Sequence, residues 1–203
     1  MNELSKLALK YDTDKGVSGA RWGNTYHGFT EYYHDYLNHL RRERFVLLEI
    51  GVGGYDVLSD GGQSLGMWAE YFPNAEIHGI DLYPKNIKGR FTIHQGSQDN
   101  PLFLSDLIGK IGRPLVIVDD GSHIDSHLIT SFDTLFPLLR QDGLYIVEDL
   151  HVSYSTKEGE QTMLGNLCNL SCLMNRGVNP SLPDGKEGAK SILFHKGFAI
   201  VKK

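Results

Sequence analysis

Two apolar runs end in acid: Val116-Ile117-Val118-Asp119-Asp120-Gly121-Ser122-His123 and Leu144-Tyr145-Ile146-Val147-Glu148-Asp149. If these runs are neighbouring parallel strands, they lie about 4.8 Å apart with their C-terminal ends on one edge. Asp120, Glu148 and Asp149 then converge. Three carboxylates at one point repel one another unless a cation sits between them. An all-oxygen set suits a hard ion, Mg2+ first, with Mn2+ or Ca2+ also compatible. His123 follows Asp120 by three residues, so its imidazole can face the same place. An ordinary pKa of about 6.5 lets it accept a proton near neutral pH, as a general base must. A capping or core histidine bonded to a carbonyl is the alternative. His127, one helical turn further on, is expected to support the site from behind.

A second chemistry-bearing stretch is Leu48-Glu49-Ile50-Gly51-Val52-Gly53-Gly54, an apolar run that passes straight into glycines. Glycine there permits a tight turn and lets a ligand approach the backbone with no Cβ in the way. A dinucleotide fingerprint needs a third glycine three residues after Gly53, but Asp56 stands there, which disfavours a pyrophosphate ligand and an NAD-dependent dehydrogenase. A glycine turn with no ligand is the plain alternative. Asp81 follows the run Glu76-Ile77-His78-Gly79-Ile80, where an acid can accept both hydroxyls of a ribose or merely cap a turn. After the next strand, Gly96-Ser97-Gln98-Asp99 places polar groups where such a sheet meets an adenine.

Positioning these residues requires an α/β chain. The strand candidates are Phe45–Ile50, Ala75–Ile80, Phe91–His94, Leu115–Val118 and Leu144–Val147. Nearly continuous apolar runs of that length suit parallel strands buried on both faces. Between them Gln63–Tyr71, Pro101–Ile111 and Ile124–Leu139 read as helices, the last with Leu128, Phe132, Leu135 and Leu139 on one stripe. Ser191–His195 and Phe198–Val201 flank Lys196-Gly197 as a tight antiparallel hairpin. Right-handed crossovers between the parallel strands, with helices on both faces, build a doubly wound sheet. A C-terminal antiparallel hairpin on such a sheet is the arrangement of Rossmann-like class I methyltransferases.

Upstream, Leu4–Lys10 and Phe29–Arg42 read as helices joined by a long loop from Tyr11 to Gly28. Loops of that length often act as lids. The stretch Gln161–Arg176 also reads as helical, with Met163, Leu164, Leu167, Leu170 and Leu173 as expected core, and the Gly- and Pro-containing segment 177–188 follows. That region is expected to form the acceptor side, with a homo-oligomer contact as an alternative use.

The 203 residues with 40% hydrophobic content suffice for one domain, 1–203, with 1–44 as an N-terminal helical and lid segment. A net charge of −5 offers no overall basic field for a nucleic-acid backbone. Met1–Lys10 lacks the apolar core of a signal peptide, and no run approaches the roughly 20 apolar residues of a membrane span. A cytoplasmic protein is expected. Cys168 and Cys172, the only cysteines, are expected to be reduced core or interface thiols.

As a set, Leu47-Leu48-Glu49-Ile50-Gly51-Val52-Gly53-Gly54-Tyr55-Asp56, Gly62-Gln63-Ser64-Leu65-Gly66-Met67-Trp68, Ile80-Asp81, Asp119-Asp120-Gly121-Ser122-His123 and Val147-Glu148-Asp149-Leu150 resemble the macrocin/mycinamicin-type sugar O-methyltransferases. Cephalosporin-hydroxylase-like proteins are near relatives of that family. The resemblance extends from about Tyr11 to the final hairpin. It implies a Rossmann-like class I methyltransferase fold, S-adenosylmethionine as donor, and Mg2+ (or Mn2+) held by Asp120, Glu148 and Asp149, with His123 as base. Donor contacts are expected at Glu49, Gly51, Gly53, Ser64, Asp81, Ser97, Gln98, Asp119 and Tyr26, with the segment Tyr26-His27-Gly28-Phe29-Thr30 covering the donor. Two departures stand out. Macrolide-sugar members can carry a large extra N-terminal domain, expected to be missing here, and the family's acid after the third strand is Ser97 in this chain.

The activity so implied is methylation of a sugar hydroxyl on a glycosylated metabolite or polysaccharide. Two alternatives remain open at this stage. A catechol-like or other vicinal diol could replace the sugar, since the ion needs only two adjacent oxygens. A non-catalytic S-adenosylmethionine-binding scaffold could retain the pocket, although it would have no need for both the histidine and the carboxylates.

Overall fold

The computed structural model describes residues 1–19, 26–154, 161–175 and 188–203. In chain order these form α1 (Glu3–Tyr11), α2 (Phe29–Leu37), β1 (Val46–Ile50), α3 (Gln63–Tyr71), β2 (Glu76–Asp81), β3 (Thr92–Gln95), α4 (Pro101–Ile111), β4 (Val116–Asp119), α5 (Asp125–Leu135), β5 (Leu144–Val147), α6 (Met163–Asn175), β6 (Ser191–His195) and β7 (Phe198–Lys202). Seven strands make one sheet in the order β3-β2-β1-β4-β5-β7-β6. The pairs β2–β3, β1–β4 and β4–β5 are parallel, and β7 runs antiparallel to both β5 and β6. This is the α/β sheet with a C-terminal antiparallel hairpin that the sequence predicts. No described helix is long and apolar enough to cross a membrane.

The chain divides into two compact units, Met1–Phe45 with Val52–Gln95, and Val46–Gly51 with Gly96–Lys203. In the first, α1 begins at Asn2, whose side chain accepts from Ser5 N at 2.7 Å, and ends at Asp12 in left-handed backbone (φ 53°). An aromatic core follows: Tyr33 lies 5.7 Å from Trp68, Trp68 stacks on Phe72 at 6.0 Å, and Phe45 meets Phe72 edge-on at 5.1 Å. The Arg90 guanidinium donates to the carbonyls of Ala69, Phe72 and Ala75, which satisfies the end of α3 and the turn after it. The segment expected to cover the donor is built into the N-terminal helices. Tyr26 donates its hydroxyl to Asp12 Oδ1 at 2.7 Å, and Phe29 and Thr30 are buried.

In the second unit, β4, β5 and β7 are buried almost throughout, as strands covered on both faces must be. The helix expected over Ile124–Leu139 is α-helical only to Leu135 and continues as a 3₁₀ turn over Phe136–Leu138. Pro137 has no N–H to give to the preceding turn and its ring crowds the carbonyl four residues back, so the α-helix cannot run through it. Carbonyls freed there are taken by Lys203, whose Nζ donates to Phe136 O (3.2 Å), Pro137 O (2.7 Å) and Leu139 O (3.2 Å). Likewise the helix expected over Phe29–Arg42 becomes a 3₁₀ turn after Leu37. Along α6, Met163, Leu167 and Leu170 are buried, whereas Leu164 and Leu173 are only partly covered. Cys168 and Cys172 are free and exposed rather than core residues, because they fall outside the buried stripe of α6. The segment 177–188 lies almost wholly outside the described residues.

Candidate active site

The parallel ladder runs one residue past β4 and β5. Asp120 N donates to Ile50 O and Glu148 N donates to Asp119 O, both at 2.9 Å, so the acidic ends of the two strands stand level. From there the chain turns sharply on each side: His123 (φ 54°) and Asp149 (φ 51°) both hold left-handed backbone. Non-glycine residues rarely adopt that conformation, which costs about 1–3 kcal/mol each and tends to persist where a site requires it. The outcome is a compact group. One ligand atom from each of Asp120, His123 and Asp149 lies within 4.8 Å of the others. His123 Nε2 is 3.9 Å from Asp120 Oδ1 and 3.7 Å from Asp149 Oδ2.

Glu148 falls outside that group and is buried, 2% exposed. The metal set expected from sequence is Asp120, Glu148 and Asp149; in the group formed by the described residues His123 stands with Asp120 and Asp149. The imidazole does not have the partner expected of a core or capping histidine: Nδ1 is buried and accepts or donates no hydrogen bond among the described residues. Two carboxylates and an imidazole, part-exposed and at this spacing, fit a divalent ion such as Mg2+ or Mn2+. His151 Nδ1 lies 3.7 Å from Asp149 Oδ1 at the outer edge.

Behind the group is a buried polar network. Asp119 is fully buried, and its carboxylate accepts from Ser131 Oγ, from Tyr145 Oη at 2.8 Å and from Gln98 Nε2 at 3.1 Å. Burial lifts the Asp119 carboxyl to about 6, and the three hydrogen bonds oppose that rise. Burial also pushes the Tyr145 hydroxyl well above its usual range, and the neighbouring Asp119 charge adds to the shift. Asp119 and Gln98, expected as donor contacts, therefore have their polar atoms committed to the interior. Ser131 and Tyr145 were missed in the sequence. A tyrosine in a run as apolar as Leu144-Tyr145-Ile146-Val147 must find a partner for its hydroxyl, and that was the available signal. His127 reaches the same loop, its Nδ1 3.0 Å from Ser122 Oγ and its Nε2 3.6 Å from Asp99 Oδ2.

The glycines separate into two kinds. At Gly51 (φ 82°) a Cβ would stand 2.1 Å from Asp120 O, so glycine is needed for the backbone of β1 and that of the Asp120 loop to meet. Gly53 (φ 74°) has no such neighbour, its nearest heavy atom being the Gly61 Cα at 4.0 Å. That leaves one side of the turn open. In the same unit Asp81, 9% exposed, accepts from Val52 N at 3.2 Å through Oδ2 and from Tyr83 N at 2.9 Å through Oδ1, tying the glycine turn to the end of β2. Lys85, not anticipated from sequence, donates to the carbonyls of Tyr55 (2.5 Å), Val57 (3.3 Å) and Asp60 (3.2 Å) and holds the loop after the turn. Ser64 is nearly buried in the first turn of α3, Glu49 is fully buried on β1, and Ser97 is part-exposed.

No family model matches the chain. Among curated proteins, the 8-demethyl-8-alpha-L-rhamnosyl tetracenomycin-C 2'-O-methyltransferase of Streptomyces olivaceus is 35% identical over 214 residues, covering 98% of this chain and 54% of the relative. The demethylmacrocin O-methyltransferase of Streptomyces fradiae is 39% identical over 154 residues, 75% of this chain and 37% of the relative. Among solved structures, the MycE methyltransferase from the mycinamycin biosynthetic pathway, in complex with Mg, SAH and mycinamycin VI, matches with a TM-score of 0.84 and 32% identity over 99% of this chain and 54% of that one. The chain belongs to the macrocin/mycinamicin-type sugar O-methyltransferase family. This member of the family spans about half the length, or less, of the curated relatives it matches.

Proposed function

We propose that the chain is an S-adenosylmethionine-dependent, divalent-metal-dependent O-methyltransferase acting on a sugar hydroxyl of a glycosylated metabolite or polysaccharide, with residues 1–203 as its methyltransferase domain. The observation that carries this reading is the convergence of Asp120, His123 and Asp149 to within 4.8 Å in a chain whose relatives are named sugar O-methyltransferases. Asp120, Glu148 and Asp149 are the proposed oxygen ligands of Mg2+ or Mn2+, with Glu148 and Asp149 supplied by the end of β5 and Asp120 by the end of β4. Bound there, the ion supplies Lewis acidity toward two adjacent sugar hydroxyls. His123 removes the proton from one of them. That oxygen forms its bond to the donor methyl as the sulfonium carbon–sulfur bond breaks, leaving S-adenosylhomocysteine and a protonated imidazole.

For the donor, the open side of Gly53 admits the ligand, Asp81 accepts from the ribose hydroxyls, and Gly51, Ser64 and Ser97 complete the proposed contacts. Glu49, fully buried near the end of β1, is kept as a proposed donor contact, whereas Asp119, Gln98 and Tyr26 act through the residues they bond. The proposal includes a cytoplasmic enzyme with a small-molecule or glycan acceptor and no nucleic-acid partner; the net charge of −5 supports the last point.

One observation favours a second role for His123. Its Nε2 is within 4 Å of both aspartates, a position that also suits a metal ligand instead of a base. Calorimetric titration of Mn2+ and S-adenosylmethionine into wild type and His123→Ala separates the roles. A base can be removed with metal affinity preserved and turnover lost; a ligand cannot. Absence of donor binding to the wild type with metal present rejects the proposed function itself.

A further inference from the structure

We propose that Gln98 is a positioning residue that sets the metal-binding loop by bridging it to the buried carboxylate behind it; this rests on the reading of Asp120 and Asp149 as ligands of a divalent ion. The loop from Asp120 to Ile124 carries two of the three converging side chains, and at His123 it holds left-handed backbone. Such a conformation lasts only where the surroundings over-determine it. One of the fixing contacts is unusually direct: Ser122 N donates to Gln98 Oε1 at 2.6 Å. The other end of the same amide, Nε2, donates to Asp119 Oδ1 at 3.1 Å and reaches Ser131 Oγ at 3.4 Å.

A side chain that must accept from the loop and donate to a carboxylate needs both halves of a primary amide. Glutamate lacks the donor and would bring a second carboxylate toward Asp119, while methionine has neither function. Sequence around the bridge agrees. Gly121 leaves room for it, since a Cβ there would lie 2.0 Å from Gln98 Oε1. The far side is anchored as well, with Asp119 held by Ser131 and Tyr145 from α5 and β5. At 6% exposure, Gln98 is part of the interior and not an open contact for the donor. It therefore links β3's following turn, the end of β4 and α5 to the placement of Asp120 and His123. Groups that orient metal ligands typically change affinity or activity about 10–100-fold when removed.

The test uses the intact chain, Mn2+ alone as probe, and two variants. Gln98→Met removes both halves of the bridge; Ser131→Ala loosens its anchored end without touching the loop and serves if the first variant does not fold. Mn2+ affinity is read by electron paramagnetic resonance, and amide hydrogen exchange at Ser122 is followed in metal-free protein. The expected result is weaker Mn2+ binding by about 10–100-fold together with faster Ser122 exchange, with a smaller change of the same sign in Ser131→Ala. Unchanged affinity and exchange in a folded variant overturn the proposal. If the wild type binds no Mn2+, the metal reading fails instead, and the exchange arm decides the positioning role alone: faster exchange at Ser122 supports it and unchanged exchange rejects it.

Discussion

His123 places Nε2 within 4 Å of two carboxylates, and its Nδ1 is buried with no hydrogen-bond partner among the described residues. If it is the base, His123→Ala lowers kcat by about 10²- to 10⁴-fold while Mn2+ affinity stays near the wild-type value; parallel loss of both, measured on the same preparation, contradicts the base role. At Gly51 the demand is steric. Gly51→Ala adds a methyl 2.1 Å from Asp120 O in a left-handed conformation, and urea unfolding is expected to show destabilisation of about 2 kcal/mol or more. A variant as stable as wild type would show that the turn relaxes freely. At this scale the residue types were legible in the sequence, because acids at the ends of apolar runs have few uses. Which of them meet was not. The left-handed turns at His123 (φ 54°) and Asp149 (φ 51°), which bring these side chains together with Asp120, leave no mark in the amino-acid type.

Among the elements, the parallel pair β2–β3 carries a titratable contact of its own. His78 and His94 stack at 5.2 Å with Nδ1 of the first 3.0 Å from Nε2 of the second. Burial, and then the nearby His94, hold the His78 pKa below its ordinary value of 6.5. Protonation is thus easier in the unfolded chain than in the folded one. The contribution of His78 to stability is fully present above pH 6.5 and is lost as pH falls through the lowered folded value. Thermal melts from about pH 7 down to pH 5 should accordingly show a shallower loss of Tm in His78→Gln than in wild type; equal slopes would contradict the assignment. Strands and helices were read from sequence to within a residue or two, since Val, Ile and Leu runs of this length have one reasonable use between amphipathic helices. The exceptions have local causes. Pro137 stops α5 short of Leu139, and α2 tightens into a 3₁₀ turn at Asn38.

For the whole molecule, the parallel strands and the terminal hairpin place the acid ends of β4 and β5 side by side, and this arrangement was already implied by the order of apolar runs. Less legible were contacts that join distant segments through one polar group, such as Lys85 on the 55–60 loop, Lys203 at the end of α5 and Gln98 behind the 120–124 loop. Hydrophobic periodicity carries no information about such partners. Family membership makes an intact donor-and-metal chemistry the central claim, although the chain matches only about half of its relatives' length. The most direct measurement is transfer of a labelled methyl group from S-adenosylmethionine to a panel of rhamnosyl glycosides and catechols, with Mg2+ and with chelator. Label on a glycoside that appears with Mg2+ and disappears with chelator is the expected result. Transfer indifferent to chelator, or confined to catechols, would contradict the account.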